Sequence, residues 1–167
     1  MSASRLLILG GLALAAVGML YGLQYALFVE HQTLDRMGGS LATAFVNAAE
    51  RNLPATQVAL DDYVRTKYDY VRDVDAHSHW IGLAMVMILF GVVLERTAFP
   101  ERTRFLIAIG LALGSFSFPL AVILQTFIHG STLPSVMAVA ASALIIFTMM
   151  AAAIGLAVKR PTPLSRN

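Results

Sequence analysis

Residues 105–158 read FLIAIGLALGSFSFPLAVILQTFIHGSTLPSVMAVAASALIIFTMMAAAIGLAV, and this run contains no Asp, Glu, Lys or Arg. As one helix it would be about 80 Å long, far more than the roughly 30 Å of a bilayer core. A break is written at residues 129–134, where Gly130 can end a helix, Ser131 or Thr132 can cap the next, and Pro134 suits a first turn. The run therefore predicts a hairpin of two spanning helices, 105–128 and 134–158.

Two further segments are long and apolar enough to cross a membrane. Residues 6–29 are uncharged, and residues 76–94 lie uncharged between Asp75 and Glu95. The first segment is too long for a signal-peptide core and ends without a small-x-small cleavage site, so we expect a retained helix. The sequence predicts an all-α membrane protein with a single domain, a bundle of four transmembrane helices.

The overall composition agrees with this class. Of the 167 residues, 57% are hydrophobic and 13% charged, and the mean hydropathy is +0.71. The net charge of +2 comes from basic residues too few and dispersed to bind nucleic acid. The absence of cysteine excludes disulfides, thiolate metal sites, iron–sulfur clusters and covalently attached c-type haem on this chain.

Charges beside the spans predict the orientation. One side carries seven basic residues against Glu95 and Glu101. The basic residues are Arg5, Arg96, Arg102, Arg104, Lys159, Arg160 and Arg166. The opposite side holds the 30–75 connection, with five basic and eight acidic residues. Because basic flanks stay in the cytoplasm, we expect both termini to be cytoplasmic, in a bacterial-type inner membrane.

The 31–75 connection is too long for an idle loop, and its pattern predicts an outer amphipathic cap of short helices. Asn52-Leu53-Pro54 separates the two predicted helices. The first is expected to start at Gly38-Gly39-Ser40 with a serine cap, and Asp75 is a candidate cap for the 76–94 helix. Tyrosines of the second cap helix suit the headgroup level.

Glycines recur at helical spacing in two of the predicted spans. They are Gly11, Gly18 and Gly22 in the first, and Gly110 and Gly114 in the third. Such spacing lets backbones approach closely, most simply within the chain. The same stripes could also join the chain to a membrane-complex partner or to a second copy in a homo-oligomer.

All four histidines fall at span ends on the predicted outer side: His31, His77, His79 and His129. Imidazole is a common ligand of Zn, Cu and Fe, and haem b needs only one or two such ligands. We therefore predict a cofactor, haem b or a transition metal ion, held chiefly by His31, His79 and His129. His77 is the next candidate, because residues two apart on a helix point about 200° apart and cannot share an ion with His79.

Supporting polar groups are available near the histidines. A bound histidine usually donates its second ring N–H to a carboxylate or carbonyl. The candidates for that role are Glu30, Asp73, Asp75, Gln24 and Gln125. The opposing interpretation is that histidines at helix ends simply sit in the wet interfacial zone, where they cost little.

Residues 75–87, DAHSHWIGLAMVM, carry a family resemblance. The pattern His-x-His-x-x-Gly-Leu resembles a helix of small polytopic bacterial membrane proteins that are distantly similar to haem-copper oxidase subunit I. That resemblance covers one helix and implies haem b or metal ligation by His77 or His79. The chain has no adjacent His-His pair and no His-Pro-Glu, so a dioxygen-reducing centre is not implied.

Two functional classes follow from these observations. The first is a membrane protein that binds haem b or a metal for electron transfer or cofactor handling. The second is a non-catalytic accessory or assembly subunit of a larger membrane complex. A transporter is less favoured, because no ionisable residue is predicted near mid-membrane. No catalytic residue is assigned, because no nucleophile-base pair, phosphate loop or metalloprotease motif occurs.

Overall fold

The computed structural model describes residues 2–158, and all regular structure in that range is helical. The helices are α1 (Ala3–Phe28), α2 (Glu30–Ala49), α3 (Leu53–Val93), α4 (Glu101–Phe127) and α5 (Leu133–Ala157), with a 3-10 turn at Leu94–Arg96. Helices α1, α3, α4 and α5 are each long and apolar enough to span a membrane. The predicted all-helical chain with four such helices is confirmed. Lys159, Arg160 and Arg166, used above to predict orientation, lie outside the described residues.

The predicted turn between the last two spans is also present. Helix α4 ends at Phe127, and Gly130 adopts φ +80°, a left-handed backbone that favours glycine. The Ser131 hydroxyl accepts a hydrogen bond from the Leu133 amide at 3.3 Å, and Pro134 occupies the first turn of α5. The turn therefore forms from the residues that the sequence pattern marked.

Helix α2 starts earlier than the sequence predicted. It begins at Glu30, directly after α1, so the predicted start at Gly38-Gly39-Ser40 is wrong. Glu30 in the first turn stabilises the helix through its interaction with the helix dipole. Gly38 and Gly39 are tolerated inside the helix at a cost of about 1 kcal/mol each. Ser40 is no cap: its hydroxyl oxygen lies 2.9 Å from the Arg36 carbonyl oxygen and 2.6 Å from Asp62 Oδ2.

Helix α3 is continuous where the sequence predicts two separate helices, one in the cap and one in the membrane. Asn52 caps it by accepting from the Ala55 amide at 3.3 Å, with Pro54 in the first turn. The helix then runs for 41 residues, roughly 60 Å, through Asp75 into the apolar segment. Asp75 is therefore mid-helix rather than a cap, and it lies 3.8 Å from Arg72. The predicted boundary at 75/76 is not a helix break, because no glycine or proline interrupts residues 55–81.

Helix α2 packs on the first half of α3 to form a helical hairpin, residues 30–75, beyond the apolar spans. An ion pair between Arg36 and Asp62 joins the two helices. Hydrogen bonds from Arg36 and then Ser40 hold the pKa of the Asp62 carboxyl below its usual range. Large apolar side chains on the hairpin remain exposed, including Phe45, Leu53 and Val58.

Helix α4 is central among the four long helices. Half of its apolar window is buried, against about a quarter for each of the others. It contacts α3, α5 and α1, while α1 packs chiefly on α3. All five glycines of the predicted stripes serve these contacts. Gly11, Gly18 and Gly22 face α3, and Gly110 and Gly114 face α5, so their close approaches are made inside the chain.

Candidate functional site

The four histidines have different surroundings and lie at different depths. His79, predicted at a span end, instead shares a cavity with Ile145, midway along α5. His31 is exposed on α2, with Nε2 3.4 Å from Asp35 Oδ2 one turn along the helix. His129 follows α4, and its Nε2 lies 2.8 Å from Asp69 Oδ1 on α3. These two imidazoles therefore have carboxylate partners from separate parts of the hairpin.

His77 packs into the contact between α3 and α1. Its Nδ1 donates a hydrogen bond to the Gly18 carbonyl oxygen at 2.9 Å. The ring fills the space above Gly22, where an added Cβ would lie 2.3 Å from His77 Cε1. Its neighbours therefore account for His77 as a packed interface residue.

His79 points away from His77, as helical geometry predicts. Its ring stacks on Phe118 of α4, with centroids 4.8 Å apart and planes 18° apart. The residue is exposed. Within residues 2–158 its imidazole forms no hydrogen bond or ion pair, unlike those of the other three histidines.

His79 lines a groove of about 380 Å³, which we call the His79 groove. Helix α3 forms one wall, α5 the other, and Phe118 of α4 lies between them; the lining residues are Ser78, His79, Gly82, Leu83, Phe118, Ser142, Ile145 and Ile146. A Cβ at Gly82 would meet nothing within 4 Å. The Ser78 hydroxyl already donates to the Val74 carbonyl at 2.9 Å. The groove is thus an apolar cleft of ligand-binding size with one unpaired imidazole.

The predicted three-histidine ligand set is not brought together. In the part of the chain that the structure describes, no three His, Asp or Glu side chains converge to hold a metal ion. His31, His79 and His129 have separate surroundings: His129 lines a cavity of about 370 Å³ that it shares with Asp61 and Arg65, whereas the groove beside His79 has no charged lining residue among those described.

The predicted supporting residues do not hydrogen-bond the histidines within residues 2–158. Asp73 accepts from the Tyr21 hydroxyl at 2.8 Å, and Gln125 accepts from that of Tyr68 at 3.3 Å. Asp75 lies beside Arg72, Glu30 opens α2, and Gln24 lines a second cavity with Tyr21.

The partners that the histidines have in the structure differ from those predicted. Asp35 was findable, because it stands four residues after His31 on a helix. Asp69 and Phe118 carried no such signal, because each lies far along the chain from the histidine it contacts.

The segment 75–87, which carries the family resemblance, lies wholly within α3. Its Trp80 is buried against Tyr21 with an edge-to-face contact at 5.2 Å. No protein-family model, curated protein or solved structure matches this chain. The resemblance of this helix therefore stays a prediction.

Proposed function

We propose that this chain is an integral membrane protein that binds haem b in the His79 groove, for electron transfer or cofactor handling. His79 would be the protein ligand to the iron. One observation carries the proposal: His79 is the histidine without a polar partner in residues 2–158, and it stands on an apolar groove beside the open Gly82.

The chemistry of this groove favours haem over a bare metal ion. His79 is exposed from the chain, and in a membrane a polar ring without a partner there loses solvation; coordination of iron by its imidazole nitrogen would satisfy it. Bare transition metals usually take several protein ligands, whereas haem b takes one or two. The groove offers one imidazole and otherwise mostly apolar side chains, which suits a flat apolar macrocycle.

Each lining residue would have a definite role. His79 would hold the iron, Phe118 would limit rotation of the imidazole by stacking, and Gly82 would leave room for the ligand. Arg72 lies seven residues before His79, on the same helix face and about 10 Å along the axis, where it would pair with a haem propionate in place of Asp75, now 3.8 Å away. When bound, the haem would supply one-electron redox chemistry.

An optical titration tests the proposal. Purified wild-type protein is expected to give a Soret band that saturates at one haem per chain. His79→Ala is expected to lose most of this binding, whereas His31→Ala, a change at an exposed histidine, is expected to keep it. Equal binding by wild type and His79→Ala, or no haem binding by wild type, would contradict the proposal.

We further propose an inner-membrane location with both termini cytoplasmic and the 30–75 hairpin outside. The support is the charge asymmetry of the flanking segments. Because the chain has no cysteine, single cysteines give a clean test. An impermeant maleimide added to intact cells is expected to label Gly38→Cys and not Thr103→Cys; the reverse pattern would invert the topology.

A cofactor-free accessory subunit is the second candidate function. It is favoured by the exposed Phe45, Leu53 and Val58, large apolar side chains on a hairpin beyond the apolar spans. A fixed larger assembly in native gels, lost in Phe45→Ser but kept in Gly38→Ala, would support this class. Migration of both variants and wild type as a single chain would contradict it.

A further inference from the structure

A second cavity lies where α1 gives way to α2, and it shares no lining residue with the His79 groove. We call it the tyrosine cavity. It measures about 480 Å³ and is enclosed by parts of α1, α2, α3 and α4. Tyr21, Tyr25, Tyr70 and Asp73 are among its lining residues. Its size is that of a small-molecule site.

Asp73 places a carboxylate without a cationic partner in this cavity. It accepts a hydrogen bond from Tyr21, but within residues 2–158 no Lys, Arg or His forms an ion pair with it. The lining Arg36 is already paired with Asp62, and the lining Asp69 with His129. A partly buried carboxylate in this position favours a cation from outside the chain.

The aromatic lining points to the same kind of ligand. The rings of Tyr25 and Tyr70 lie 6.4 Å apart at 47°. Tyr25 is only 7% exposed, and its buried hydroxyl lies close to the Thr33 side chain without forming a hydrogen bond of good geometry. Tyrosine faces attract cations, and aromatic enclosures recognise quaternary ammonium groups in this way.

From these observations we infer that the tyrosine cavity binds the ammonium group of an organic cation. Asp73 supplies the opposite charge, and Tyr21, Tyr25 and Tyr70 enclose the group. A bare Ca²⁺ ion fits the lining less well, because it needs six or more oxygen ligands and the neighbouring Asp69 already has a partner. The ammonium can belong to a free amine or to a lipid headgroup, since the cavity lies at the end of the apolar segment of α1.

Calorimetry with choline chloride tests the inference on the full-length protein. The detergent must lack an ammonium group, and sodium chloride at equal ionic strength is the control titrant. Wild type is expected to bind choline, and Asp73→Asn to bind it roughly tenfold or more weakly. Asp75→Asn, two residues along the same helix and outside the cavity lining, is the matched control and is expected to bind like wild type.

A second variant guards against an Asp73 change that prevents folding. Tyr70→Ala removes one ring of the enclosure and is expected to weaken choline binding several-fold, whereas Tyr70→Phe keeps the ring and the affinity. Native mass spectrometry with phosphatidylcholine and phosphatidylethanolamine separates the two sources of the ammonium group. Lipid adducts that depend on Asp73, without free choline binding, would identify a headgroup. Binding of neither choline nor these lipids, or unchanged binding by Asp73→Asn, would overturn the inference.

Discussion

Two histidines on opposite sides of α3, His77 and His79, differ in how tightly they are packed. On the α1 side, His77 fills the space over Gly22 and donates to the Gly18 carbonyl. On the other side, His79 lies on an open groove, next to a glycine with no neighbour within 4 Å of its Cβ position. The position of His77 is explained by packing inside the chain, because its ring occupies the space beside Gly22. The open space beside Gly82 leaves room for a ligand at His79. For this reason we assign a structural role to His77 and propose a binding role for His79.

The largest expected effect on stability comes from adding a methyl group at Gly22, in the contact between α1 and α3. Gly22→Ala would place a Cβ 2.3 Å from the His77 ring, which must then move and give up its bond to Gly18. We expect a loss of about 2–4 kcal/mol in the free energy of unfolding. Unfolding in denaturing detergent mixtures measures it, with Gly38→Ala as the control at an open site. Similar stabilities for the two variants would remove the contrast.

The next effect comes from deleting each imidazole. His77→Ala removes a packed ring and a hydrogen bond, and is expected to lower stability by about 2 kcal/mol. His79→Ala removes a stack on Phe118 and is expected to lower it by less than about 1 kcal/mol in haem-free protein. The same unfolding measurement compares them. A larger loss for His79→Ala than for His77→Ala would show that His79 is the more tightly packed residue, and would contradict the comparison.

The smallest effect is expected at the open glycine. Gly82→Ala meets no neighbour and replaces a poor helix former, so we expect a gain of about 0.5–1 kcal/mol. Thermal unfolding of the haem-free protein checks the sign. Destabilisation by this methyl group would mean that the groove is closed in the membrane.

The fold was largely predictable from the sequence, and the errors in that prediction have clear causes. Charge-free runs and the Gly130 turn predicted four helices long and apolar enough to span a membrane, because these signals are local in the sequence. The missed continuity of α3 arose at Asp75, whose carboxylate resembles a cap in sequence although nothing there interrupts the helix. Ser40 misled in the same way, because it serves Asp62 on a neighbouring helix rather than its own helix end.

The candidate site was less accessible to sequence reasoning. The divergence of His77 and His79 follows from helical periodicity and was predicted. Which of the two histidines packs tightly depends on Gly22 and Phe118, and each of these residues lies on another helix. Contacts between helices, rather than spacing along one, decide which imidazole keeps an open side.

A haemin titration of Gly82→Leu tests the central claim most directly, because it fills the His79 groove while leaving every histidine in place. We expect a stable protein whose haem affinity falls by roughly tenfold or more against wild type, so that its Soret titration saturates only at correspondingly higher haemin concentrations. Wild-type affinity in Gly82→Leu would place haem elsewhere and contradict the assignment of this groove.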